Sequence, residues 1–232
     1  MELLADNALL RVAAKAKRPD LIRKLKHVHF DPGRLLWTEH QPLPYALFPL
    51  RGVLSLQVSP APGRRVQIAM AGREGFAGIS LAIGTAHAIM AAVALTEGEG
   101  LAMPPDVFRT FSGIPSFQSA VKEYLQTFLV MLSKLSLCSR VHVFEKLCVG
   151  HLLLLQDRTG TDSFSITHDS LSRLLGVRRA SVSRTAARLQ KLGAIRYNRR
   201  GQLIIADRGE LEKVACSCYR AIHGEFAGLD RI

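Results

Sequence analysis

The densest chemistry in the sequence lies in residues 171–200. Nine basic residues fall there (Arg173, Arg178, Arg179, Arg184, Arg188, Lys191, Arg196, Arg199 and Arg200) and no acidic one. A guanidinium is a planar fork of N–H donors that matches a phosphate or the O6/N7 edge of guanine. A merely solvated face would normally mix in acids. Residues 1–158 hold 18 basic and 12 acidic residues over roughly five times the length. The 232-residue chain has a formal net charge of +12. That excess calls for an anionic partner, and its concentration in one segment interleaved with Leu, Val and Ile points to nucleic acid over an anionic membrane surface or bare solubility.

Local signals around the arginines describe a helix-turn-helix. Thr167 can cap a first helix, and Asp169 in its first turn suits the positive helix end. Leu171 and Leu175 face inward one turn apart, and Ser172 is small where a second helix must pack. Gly176 stands where the turn needs a left-handed residue. Val177 plugs the core, and Val182 and Leu189 anchor a second helix from about Arg179 to Leu192. Its first turns expose Arg179, Ala180, Ser183 and Arg184, which suit base edges. Thr167, Arg178, Ser181 and Arg188 suit phosphates. The plainer reading has these arginines neutralising carboxylates, but the segment contains none. Ile195–Tyr197 and Leu203–Ile205 then read as two short strands joined by a tight turn. This hairpin is a wing, with Arg199 and Arg200 at its tip for phosphate or minor-groove contact.

Other chemistry is sparse. Nucleophile elbow, Walker loop, HExxH and paired-carboxylate signatures are all missing, so an enzyme is not expected. Cys138, Cys148, Cys216 and Cys218 are too few and too clustered for a disulfide framework. Cys216-x-Cys218 with His223 lacks a fourth ligand for zinc, so no metal is expected, although a redox role for Cys138 or Cys148 stays open.

The positioning elements fall into two patterns. From about Val28 to Val107, glycines separate short apolar runs such as Tyr45–Phe48, Val53–Val58 and Arg65–Met70. Their spacing argues for a β-sandwich or barrel, with Pro60–Gly63 as one turn. Residues 1–26 read as helical, with Asp20 as a cap. After Pro115, Phe117, Val121, Tyr124, Leu125, Phe128, Leu132 and Leu135 recur at spacings of three and four. That is a long amphipathic helix whose stripe either packs in its own domain or seals a homodimer, and the dimer is the expected reading. A second helix runs from Val141 to about Arg158. The charged N-terminus has no signal-peptide core, and no apolar run reaches a membrane span, so a cytoplasmic protein without a membrane partner is expected.

A β-rich segment, a long apolar helix and a winged helix in this order resemble the CRP/FNR superfamily of bacterial transcription regulators. The resemblance covers almost the whole chain. Its most specific parts are AGREGFAG (Ala71–Gly78) and LLGVRRASVSRTAARLQKLGAI (Leu174–Ile195). It implies an α+β fold: a cyclic-nucleotide-binding-like antiparallel β-roll of jelly-roll type at 1–112, a dimerisation helix at 113–140 and a winged helix-turn-helix at 141–232. It further implies a homodimer on near-palindromic double-stranded promoter DNA, with half-sites about 34 Å apart. RNA polymerase is an added partner if the protein activates.

The departures from the family are specific. Cyclic-nucleotide binders carry a Glu for the ribose where this chain has Ile79, and an Arg-Ser pair for the phosphate where it has Thr85–Met90. A buried cyclic phosphate without arginine would be poorly compensated, so cyclic AMP or GMP is not expected. Gly78, Ile79, Ser80 and His87 mark the matching pocket. The first cysteine is Cys138, which excludes the family's N-terminal iron–sulfur cluster. His27, His29, His40 and His87 are the candidates for haem, each more ordinarily a surface residue. No cofactor is therefore expected. Many relatives place a Glu after the first arginine of the recognition helix; Ala180 stands there, and suits a thymine methyl. The alternative function is an effector-gated sensor whose β-roll takes a cyclic nucleotide, haem or another small molecule.

Overall fold

In the computed structural model, residues 2–198 and 202–229 are described. A 3-10 turn (Glu2–Asp6) leads into α1 (Ala8–Lys15) and α2 (Pro19–Ile22). Asn7 caps α1: its side-chain oxygen accepts the N–H groups of Leu9 and Leu10 at 3.1 and 3.2 Å. Its amide nitrogen donates to the carbonyls of Pro49 and Gly75 at 2.9 and 2.8 Å. One buried amide thus ties the N-terminal helix to the β-rich domain. Asp20 is not a cap, as its position suggested. It lies inside the first turn of α2, where hydrogen bonds from Arg18 lower its carboxyl pKa to about 2.

The β-rich domain contains β1 (Lys26–Phe30), β2 (Leu35–Trp37), β3 (Ala46–Arg51), β4 (Leu54–Ala61), β5 (Arg64–Ala71), β6 (Ala91–Ala94) and β7 (Gly98–Met103). All pairings are antiparallel, in two sheets of order β1-β7-β3 and β2-β6-β4-β5. Phe30, Phe48, Leu54, Leu56 and Ala92 from both sheets lie in one core. The β4–β5 turn is tighter than the expected Pro60–Gly63. Ala61 still pairs with Arg64, and Gly63 at φ +75° closes the hairpin.

Three helices follow: α3 (Pro105–Ser112), α4 (Pro115–Val141) and α5 (Phe144–Thr159). The expected dimer stripe requires a correction here. Phe117, Val121, Tyr124 and Phe128 are buried inside their own chain, at 5% exposure or less. They close an aromatic cluster begun by the β-rich domain: Phe76 lies 5.2 Å from Tyr124, and Phe108 lies 5.9 Å from Phe117, centre to centre. The Tyr124 hydroxyl donates to the Phe76 carbonyl at 2.9 Å, and burial pushes its pKa far upward. Gly75 is required beneath it, because a Cβ there would strike the Tyr124 ring. Leu125, Leu132 and Leu135 are half-buried against the same core. The apolar residues α4 leaves to solvent are Leu129 at 62%, Leu137 at 46% and Val141 at 61% exposure.

The remaining elements are β8 (Ser163–Phe164), α6 (His168–Leu175), α7 (Arg179–Lys191), β9 (Ile195–Tyr197), β10 (Leu203–Ile205), α8 (Arg208–Val214) and α9 (Ser217–Leu229). β10 is central in a small sheet of order β8-β10-β9. The two-residue β8 carried no readable pattern in the sequence. α9 packs back along α4. Arg208 secures this end through Asp157 at 2.8 Å, Glu212 at 2.7 Å and the Tyr219 hydroxyl at 2.7 Å. Among the described residues, no helix is long and apolar enough to cross a membrane.

Candidate nucleic-acid interface

The helix-turn-helix is α6–turn–α7. Thr167 and Ser170 form a reciprocal capping box: the Thr167 hydroxyl accepts the Ser170 N–H at 3.1 Å, and the Ser170 hydroxyl accepts the Thr167 N–H at 2.9 Å. Gly176 ends α6 in the left-handed region at φ +66°. Leu171, Ser172, Leu175, Val182 and Leu189 are buried as their spacing indicated, and Val177 packs against the same core. His168 adds a brace that the sequence did not announce. Its Nδ1 lies 3.1 Å from the Ser183 hydroxyl, and its ring meets Tyr197 edge-on at 5.0 Å. First helix, second helix and wing strand therefore share one side-chain joint.

This framework leaves Arg178, Arg179, Ala180, Arg184 and Arg188 exposed on α7 and its N-cap. Ser181 and Ser183 are half-buried, with Ser183 already engaged by His168. Thr167 is exposed while it caps α6. Arg199 and Arg200, the expected wing tip, lie outside the described residues. Carboxylates reach part of the basic surface from outside the acid-free segment, a relationship hidden in the sequence. Arg179 lies 3.5 Å and Arg173 3.3 Å from Asp169, and Arg188 lies 3.2 Å from Glu145 on α5. These arginines stay mostly exposed, and such pairs are weak, so a phosphate can compete for them. Among the described residues, no carboxylate lies in ion-pair range of Arg178 or Arg184.

The expected effector residues separate. Gly78 at φ +99° turns the chain into Ile79 and Ser80, which are both buried. Together with Trp37, Leu43, Leu56 and Met90 they bound a space of about 10 Å³, the room of a single water. His87 is exposed and outside that lining. The histidines considered for haem do not share one site: His27 and His29 stand together, ring centres 4.4 Å apart, away from His40 and His87. His27 and His29 lie 3.1 and 3.7 Å from Glu99, whereas His40 is exposed in a turn and His87 is exposed on an isolated β-bridge to Pro42. His223 is likewise not with Cys216 and Cys218. It lies 3.0 Å from Asp157, and the thiols face Cys138 and His142 instead.

A larger cleft of about 870 Å³ separates the β-rich domain from the C-terminal domain, with Arg11, Arg51, Arg73, Glu97, Thr161 and Ser163 among its walls. Beside it, α6 packs on β5. A Cβ at Gly176 would approach Val66 to 3.1 Å, so the helix-turn-helix turn sits directly on the β4–β5 hairpin.

Comparison with known proteins agrees with this architecture. The Crp-like helix-turn-helix domain matches residues 148–214. No curated protein matches the chain. Among solved structures, a putative transcriptional regulator of the crp/fnr family from Eubacterium rectale is 17% identical, with 86% of this chain and 93% of that one covered at a TM-score of 0.68. FixK2 from Bradyrhizobium japonicum is 16% identical, with 83% and 98% covered at a TM-score of 0.69. The c-di-GMP-responsive global regulator CLP from Xanthomonas campestris is 14% identical, with 84% and 99% covered at a TM-score of 0.66. The matched domain and folds are those of regulators rather than of enzymes. Residues 148–214 are thus a Crp-like helix-turn-helix domain, and the chain carrying them has the fold of the CRP/FNR transcription regulators.

Proposed function

We propose that this protein is a sequence-specific transcription regulator that binds near-palindromic promoter DNA as a homodimer, without a cyclic nucleotide. The carrying observation is the exposed Arg184, without an ion-pair partner among the described residues, beside exposed Ala180 on a helix held by a capping box and a left-handed glycine turn. Arg179 and Arg184 are read as guanine contacts and Ala180 as a thymine-methyl contact. Arg178, Ser181, Arg188 and Thr167, with Arg199 and Arg200, are read as phosphate contacts. The second copy pairs along Leu125, Leu129 and Leu132, whose spacing of four and three makes one seam with Leu129 at its exposed centre. Promoter DNA as partner puts the protein in the cytoplasm, and RNA polymerase becomes a partner if the protein activates.

The test is selection and sequencing of genomic fragments by the purified protein, alone and with cyclic AMP or cyclic di-GMP. A palindrome enriched by the protein alone supports the proposal. Enrichment only with a nucleotide overturns the nucleotide-independent part. No enrichment under any condition, repeated at low salt, overturns DNA binding in this form.

A second reading, effector gating, is favoured by the cleft of about 870 Å³ between the domains and by the Gly176–Val66 contact that joins the helix-turn-helix to β5. A ligand that bound the cleft in only one domain arrangement would shift the population of the DNA-competent state.

A further inference from the structure

Four potential ligands that lie far apart in sequence meet at one point of the fold. Cys138 is in the last turn of α4, and His142 immediately follows that helix. Cys216 and Cys218 flank the first residue of α9. The Cys138 and Cys216 sulfurs are 3.6 Å apart, and the Cys218 sulfur is 3.8 Å from His142 Nδ1. All four ligand atoms lie within 4.8 Å of one another. The three cysteines are buried at 3–4% exposure, with Leu147 packed against them as a partly buried hydrophobic neighbour.

We infer that Cys138, His142, Cys216 and Cys218 form a structural zinc site. Three sulfurs and one imidazole are a closed donor set of the kind that holds zinc tetrahedrally. With Zn–S near 2.3 Å and Zn–N near 2.0–2.1 Å, tetrahedral ligands stand about 3.5–3.8 Å apart. The two measured separations already match that spacing, so small rotations of the side chains complete the tetrahedron. Zinc with three thiolates and a neutral imidazole carries one net negative charge, and Lys134 stands one turn before Cys138 on α4. A dithiol switch would use only Cys138 and Cys216 and would leave Cys218 and His142 without a role. Binding releases three thiol protons, so affinity weakens as pH is lowered. The ion would clip the end of α4 to the start of α9, fixing the long helix to the C-terminal domain.

The test uses the full-length protein, purified without a histidine tag or chelator, with bound metal measured by mass spectrometry and free thiols counted after denaturation. The expected result is about one zinc per chain and four free thiols. Cys138→Ser and the double variant Cys216→Ser/Cys218→Ser are expected to lose it, whereas Cys148→Ser keeps it. If those variants do not fold, the intact chain exchanged with cobalt decides. Thiolate-to-cobalt charge transfer with intense tetrahedral ligand-field bands supports the site, and an octahedral spectrum overturns it. A metal-free protein that binds neither ion, or one with two thiols lost to a Cys138–Cys216 disulfide, also overturns it.

Discussion

Arg158 Nε donates to Glu74 Oε1 at 2.8 Å, with both side chains almost fully buried. Glu74 belongs to the glycine-rich turn of the β-rich domain, and Arg158 to the last turn of α5. The same carboxylate oxygen accepts the Gly72 N–H at 3.0 Å. Arg158 also donates to the Leu154 carbonyl at 3.1 Å and stacks 4.5 Å over Phe226 of α9. One guanidinium therefore joins the N-terminal domain, α5 and the C-terminal helix. Removing one partner of a buried pair leaves an uncompensated charge at a cost of roughly 3–5 kcal/mol. Glu74→Ala should lower the unfolding free energy by about that much in urea titrations, and Glu74→Leu/Arg158→Leu should recover part of it. A single variant costing under about 1 kcal/mol would remove the pair from its structural role.

Arg184 and Arg188 should separate by readout. Arg184 has no carboxylate partner among the described residues, so Arg184→Ala should cost about 1–3 kcal/mol of specific binding and relax one base position. Arg188 is tethered to Glu145 at the rim. Arg188→Ala, and likewise Arg200→Ala, should weaken binding on every sequence and lower the salt slope by about one unit. Measured affinities on matched and mismatched sites across salt concentrations check both. A uniform loss for Arg184→Ala would make it a phosphate contact.

The seam on α4 is testable at one residue. Leu129 is 62% exposed, so Leu129→Glu should leave stability nearly unchanged while shifting sedimentation from dimer to monomer. Phe117, fully buried, should behave oppositely. Phe117→Ala should cost about 3–5 kcal/mol of folding stability. A dimer that survives Leu129→Glu would place the seam elsewhere.

His151 predicts a pH dependence of stability. It is buried on α5 with Nδ1 at 3.2 Å from the Leu147 carbonyl and, among the described residues, no partner for Nε2. Burial lowers its pKa from 6.5 to about 4, with Arg158 adding to the effect. The unfolded chain thus binds the proton more readily. Stability is full above about 6.5 and is lost as pH falls toward 4, by up to about 3 kcal/mol. His151→Leu should flatten that part of the profile in thermal melts. An unchanged slope would assign it to other groups.

Local chemistry made the C-terminal domain legible from the residues alone. A capping hydroxyl, a left-handed glycine and apolar spacings act over one or two helical turns, so Thr167, Gly176, Val182 and Leu189 stand in the structure as they read in the sequence. The wing strands were legible for the same reason. The alternating runs of β4 and β5 also declared themselves, although the turn between them closed two residues tighter.

What only the tertiary structure decided involves pairs far apart in the chain. Helical periodicity shows that α4 has an apolar stripe, but it does not say what covers the stripe. Phe76 and Phe108 claim Phe117 and Tyr124, and the outward face falls to Leu129. An acid-free segment shows no local carboxylate, yet Glu145 reaches Arg188 across a helix packing. Glu74 and Arg158 are 84 residues apart, and Cys138 and Cys216 are 78 apart. Sequence separation sets no bound on spatial distance once a chain has folded. The sequence by itself therefore determined the elements and the surface chemistry of the recognition helix. The folded packing of α4, α5 and α9 decided which buried charges, thiols and rings would meet.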